Sequence, residues 1–157
     1  TTISPALPYA LFDRSVSCAS EVEQYNGNMV FEGIIANSKA ALEQGVPVAL
    51  GNDVGCPWIT QYDFWRELRY FEKYVGVSRS FALHTATLRN AQLAGVGDVT
   101  GSIEVGKDAD MIVVDANPLD DLCALRTLRH VIHRGRFIAK PSVKRNAVVD
   151  RELDKFL

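Results

Sequence analysis

The most constraining feature is a short apolar run, Val46-Pro47-Val48-Ala49-Leu50. It lies between Gly45 and the turn-forming string Gly51-Asn52-Asp53-Val54-Gly55-Cys56-Pro57. An uninterrupted apolar run of this length is the pattern of a strand buried on both faces, as in a parallel sheet. Ahead of it, Met29 to Gln44 reads as a helix. Met29, Val30, Ile34, Ala41 and Leu42 share a broad face, with Phe31 and Ile35 on its flanks. Gly45 supplies a left-handed stop. Helix, glycine and buried strand together make an αβ unit, which points to an α/β fold.

The flanking segments extend this reading. Thr1 to Pro5 is β-branched and ends at a proline, as the end of a strand does. With no methionine in front of it, the chain is expected to be the tail of something longer. Pro8 to Asn28 lacks clean periodicity and is expected to be a long loop. Asp63 to Val75 predicts a helix with Phe64, Trp65, Leu68, Phe71 and Val75 on its apolar side. Its charges, Arg66, Arg69 and Lys73 among Asp63, Glu67 and Glu72, are expected on a solvated face. Ser78 caps a second helix running to Ala94. Beyond Gly95 the pattern turns to short strands: Gly101 to Gly106, Ala109 to Asp115, and a hairpin of Thr127–Ile132 and Arg136–Ile138 around His133-Arg134-Gly135. Val149 to Leu157 is expected to be a short amphipathic helix or a frayed end.

Composition removes several functions. The chain has 157 residues, and its 17 Lys+Arg against 19 Asp+Glu give a net charge of −2, no electrostatic footprint for nucleic acid. No apolar stretch is long enough to cross a bilayer, so no membrane partner is expected. Cys18, Cys56 and Cys123 form no C-x-x-C pair and are expected as reduced thiols, which favours a cytoplasmic location. His130 and His133 stand three apart on an expected strand and therefore point to opposite faces, which argues against a shared metal. His84 reads as an ordinary helical histidine. No complete metal-ligand motif, nucleophile elbow or phosphate loop is present.

Asp53 is the candidate for chemistry. It follows the C-terminal end of the expected buried strand, where parallel α/β folds and (β/α)₈ barrels place ligands and catalytic groups. A carboxylate there can ligate a metal or move a proton. The alternative is a loop aspartate that satisfies nearby backbone amides.

Three strings carry a resemblance: Gly51-Asn52-Asp53, then Ala82-Leu83-His84-Thr85-Ala86-Thr87-Leu88-Arg89-Asn90-Ala91, then Gly101-Ser102-Ile103-Glu104-Val105-Gly106-Lys107-Asp108-Ala109-Asp110-Met111-Ile112-Val113-Val114-Asp115. With the later Val131-Ile132-His133-Arg134-Gly135-Arg136, the chain resembles the metal-dependent amidohydrolase superfamily, in its imidazolonepropionase-like and prolidase-like branch. The resemblance implies the C-terminal part of a TIM-like (β/α)₈ barrel, namely its last two strands and their helices, in residues 1–95. It implies the C-terminal half of a small β-sandwich in 96–140, and a tail in 141–157. Thr1 to Pro5 would end the seventh strand, Met29 to Gln44 would be the seventh helix and Val46 to Leu50 the eighth strand.

By the same resemblance Asp53 is both a metal ligand and the catalytic proton shuttle. It would hold a divalent metal, zinc, that lowers the pKa of a bound water. It would then pass the water's proton to the amine leaving an amide, cyclic amide or dipeptide-like small-molecule substrate. The family's other ligands, an H-x-H and further histidines, do not occur here, and one carboxylate cannot hold a catalytic zinc. The expectation is a chain inactive alone, partnered by a missing N-terminal barrel portion. Its rivals are a non-enzymatic remnant that self-associates through sheet edges, or a plain truncation.

Overall fold

Ser20 starts the longest element. Its hydroxyl accepts from the Glu23 amide while the Glu23 carboxylate accepts from the Ser20 amide, and this reciprocal cap opens α3 (Glu21–Glu43). The computed structural model describes residues 1–157. The buried stripe of α3 contains Phe31 and Ser38, with Ile34, Ile35 and Leu42 packed against the core. Met29 and Val30, expected inside, are 57% and 54% exposed. The serine in mid-stripe disguised the face; its hydroxyl donates to Thr1 Oγ1 at 3.0 Å.

The expected loop from Pro8 to Asn28 is helical instead. It contains most of α1 (Leu7–Leu11), then α2 (Arg14–Ser17) and the first turns of α3. Local chemistry builds these turns: Pro8 near the start of α1, and Asp13 accepting from the Ser15 amide at 2.8 Å to cap α2. One or two turns are too few to show a period.

The remaining helices are α4 (Phe64–Tyr70), continued by a π-helical turn (Phe71–Val75), and α5 (Arg79–His84). A second π turn (Thr85–Arg89) joins α5 to α6 (Asn90–Leu93). Thr85 Oγ1 and Thr87 Oγ1 donate back to the carbonyls of Phe81 and Leu83 at 2.8 and 2.7 Å, a habit that loosens helical bonding where the π turn occurs. The charged side of α4 is a correction. Asp63, Arg66 and Glu67 are buried at 4%, 1% and 0% exposure, because each finds a partner far along the chain.

One antiparallel sheet of order β1-β2-β3 follows: β1 (Met111–Val114), β2 (Leu128–His133) and β3 (Arg136–Ile138). Met111 faces Ile132 and Val131 faces Ile138. Arg134 and Gly135, with φ of 49° and 77°, make the two-residue turn that matches strand twist. Gly101 to Gly106 forms turns rather than the expected strand. The chain closes with α7 (Ala147–Asp154), capped by Asn146. The core joins Ile3, Leu7, Phe12, Phe31, Leu50, Leu68, Phe71, Leu122 and Leu153, which places it between α1, α3, α4 and α7. No helix is long and apolar enough to cross a membrane.

Candidate active site

The site rests on two extended segments lying side by side. The Thr1 ammonium donates to the Ala49 carbonyl at 2.5 Å, and the Gly51 amide donates to the Thr1 carbonyl at 3.0 Å. One residue bonded to two that flank Leu50 is the pattern of a parallel rung. Val46 to Leu50 is therefore extended beside Thr1, but it is not the fully buried strand expected: Val46 is 50% exposed and only Leu50 is buried. A single rung does not make a ladder.

Side chains from the helices take the place of further strands. Asn90, at the start of α6, receives the Leu50 amide on Oδ1 and donates from Nδ2 to the Leu50 carbonyl, both at 2.8 Å. Glu67, on α4, receives the Ile3 amide at 2.6 Å, the Ser4 amide at 2.9 Å and the Ser4 hydroxyl at 2.5 Å. Burial pushes its carboxyl up to about 7, against the pull of these three donors. Neither clamp was singled out in the sequence. Asn90 lies in the string Ala86-Thr87-Leu88-Arg89-Asn90-Ala91, the one sequence signal that points to it.

Asp53 sits three residues beyond Leu50, just past the end of the extended segment. It is exposed and has φ of 53°, a left-handed conformation that aspartate tolerates better than most residues. Cys56 donates its thiol hydrogen to Asp53 Oδ2 at 3.2 Å, and this bond pushes the thiol's pKa up. Asn52 is buried and lines a cavity of about 10 Å³ with Ser4, Trp58, Asp63, Arg66 and Tyr70. That is room for about one water molecule. A wider concavity lies elsewhere: a groove of about 950 Å³ between α4, α5 and the sheet, lined by Trp65, Leu83, Ile112 and Leu128 and not by Asp53.

The other candidates do not converge on Asp53. His130 Nδ1 bonds the Ala139 carbonyl, and His133 Nδ1 bonds Asp110 Oδ1, each at 2.9 Å on the sheet. All three cysteines are free thiols. No three His, Cys, Asp or Glu side chains come together to hold a metal ion. A catalytic zinc takes about three protein ligands, so the residues of this chain do not by themselves fit one.

Residues 10–139 match the amidohydrolase family. The fold superposes on the crystal structure of a candidate prolidase from Bifidobacterium longum with a TM-score of 0.94 and 40% identity, over 98% of this chain and 38% of that one. An imidazolonepropionase of Thermoplasma volcanium is 25% identical over 65% of this chain and 26% of its own length. A 5-methylthioadenosine/S-adenosylhomocysteine deaminase of Teredinibacter turnerae is 38% identical over 52% of this chain and 20% of its own. The chain thus spans between a fifth and two fifths of these relatives. With the match running through both the Asp53 loop and the glycine-punctuated strand region, this chain belongs to the amidohydrolase family.

Proposed function

We propose that this chain forms the closing part of a hydrolase that cleaves a C–N bond in a small amide, cyclic amide or dipeptide-like molecule. Residues 1–95 would be the last two strand–helix units of its barrel, 96–140 part of the companion sandwich and 141–157 a tail. The observation that carries this reading is the parallel rung between Thr1 and Leu50, with Asp53 just beyond it. A carboxylate at that end of a parallel strand stands where barrel enzymes do chemistry. Its exposure suits a site whose other walls come from residues outside this chain. The 40% identity to the candidate prolidase favours a dipeptide-like substrate ending in proline.

In this reading Asp53 accepts the proton of the attacking water and delivers it to the departing nitrogen. Oδ1 is free for this, since the Cys56 thiol engages Oδ2. Asn52, its chain neighbour, is buried. Family membership brings a divalent metal into consideration, and its remaining ligands would have to come from elsewhere. The test is calorimetric titration of zinc into this chain combined with the N-terminal portion of the Bifidobacterium longum relative. Tight binding is expected, weakened at least about tenfold by Asp53→Asn, the scale on which metal-site substitutions act. Equal affinity for both forms would remove Asp53 from the site.

A further inference from the structure

The tail after residue 139 lies outside the span that matches the family, yet it is tied to some of the most buried charges in the fold. Arg66 Nη2 lies 2.7 Å from Asp154 Oδ1 and 3.5 Å from Asp150 Oδ1, and its Nε lies 3.3 Å from Asp63 Oδ2. Asp63 ends the loop that carries Asp53. Arg145 repeats the bridge, 2.9 Å from Asp150 and 3.6 Å from Asp63. Beside it the Asn146 amide donates to the Tyr62 hydroxyl at 2.6 Å. The far end of the loop is therefore bound to the tail at three points.

The middle of the loop is bound to the tail through aromatics. Trp58 meets the Phe12 ring edge-on, with centroids 4.9 Å apart and planes at 72°. Phe12 in turn stacks on Phe156 at 5.3 Å and 13°. Lys73 Nζ holds the end of this stack, donating to the carbonyls of Phe156 at 2.9 Å and Leu157 at 3.0 Å.

The loop needs such support. Asp53 and Trp58 both have positive φ, at 53° and 70°, and an L residue keeps that conformation only where its surroundings impose it. The loop's own bonds are few, such as the Cys56 amide to the Asp53 carbonyl at 3.3 Å and the Ile59 amide to the Cys56 carbonyl at 3.1 Å.

We propose that residues 141–157 are a brace that sets the conformation of the Asp53 loop, with Phe156 and Arg66 as positioning residues. The catalytic meaning of the brace rests on the reading of Asp53 given above; the brace itself is tested without turnover or metal. Backbone order parameters of the full 157-residue chain are measured by NMR for the parent, Phe156→Ala, Phe156→Tyr and, as a surface control, Phe137→Ala. For residues 53–60 the parent, Phe156→Tyr and Phe137→Ala are expected near about 0.85, and Phe156→Ala below about 0.6, with α5 and the sheet unchanged. A loop that stays rigid in Phe156→Ala would overturn the brace. So would a loop already mobile in the parent, or a loss of order shared evenly across the fold. If Phe156→Ala does not fold, Lys73→Ala carries the same decision: selective loosening of 53–60 supports the brace, and none overturns it. A brace that passes while Asp53→Asn leaves zinc binding unchanged would reject the proposed function alone.

Discussion

At the scale of single residues, the candidate site was half legible. Asp53 was legible as a candidate because an aspartate three residues past an apolar run, between glycines, is a local pattern. Glu67 was not, because its partners, Ile3 and Ser4, lie more than sixty residues away and its neighbours alternate in charge like a solvated helix face. A long-range clamp leaves no trace in spacing. It does leave one in pH. Burial raises the folded carboxyl from 4.5 to about 7, so the folded state binds this proton more tightly than the unfolded state does. The stabilisation is complete below the unfolded value and lost as pH rises through the folded one. Urea unfolding is expected to show a loss of roughly 2–3 kcal/mol from this group between pH 5 and 8, from 1.36 kcal/mol per unit. Glu67→Gln, neutral throughout, is expected to remove that decline. The Thr1 ammonium, whose pKa burial lowers against the pull of the Glu67 charge, contributes with the opposite sign. Parallel profiles for parent and variant would count against the assignment.

At the scale of elements, legibility followed the strength of local signals. The hairpin of β2 and β3, the helix start at Ser78 and the final amphipathic helix carry caps or turn residues that act within a few positions. The π turns and the short helices before α3 are too brief to show a period, even where Asp13 caps α2. Gly101 to Gly106 was misread because its alternating Ile103 and Val105 look like a strand. Both are almost wholly exposed, at 84% and 106%, and the segment is shaped by its glycines instead. The two glycines differ. Both have φ of +94°, but a Cβ on Gly101 would stand 2.6 Å from Ala91 Cβ, 3.1 Å from Leu88 Cα and 3.2 Å from the Thr87 carbonyl, whereas one on Gly106 would meet nothing within 4 Å. Gly106→Ala is expected to cost about 1–2 kcal/mol of backbone strain. Gly101→Ala is expected to cost that plus roughly 1–3 kcal/mol of overpacking as the turn lifts off the α5–α6 helix. Denaturant midpoints of the two variants check the order; equal losses would mean that this contact does not seat the segment.

At the scale of the whole molecule, the exposed surface is too large for a chain of this mass. A folded monomer of 17.3 kDa is expected to expose about 7,800 Å², and this one exposes 9198 Å². The surplus, about 1,400 Å² on that scaling, is more than the roughly 800 Å² each partner buries in a standard interface. Exposed apolar side chains contribute to it: Ile112 and Leu128, which line the 950 Å³ groove, and Phe137 and Ile138 on β3 are between 40% and 58% exposed, and α3 adds Val22, Tyr25 and Met29. This much could not be read from composition, since an average apolar content says nothing about how much of it finds cover. Uncovered apolar surface of this extent drives association. Sedimentation equilibrium of the chain alone is expected to give a mass above 17.3 kDa that rises with concentration. The N-terminal portion of the Bifidobacterium longum relative is expected to replace self-association with a one-to-one complex, because it would cover the same faces. A monomer at every concentration would show that these faces are stable in water. Self-association that the added portion leaves untouched would favour an oligomer of this chain over a completed barrel.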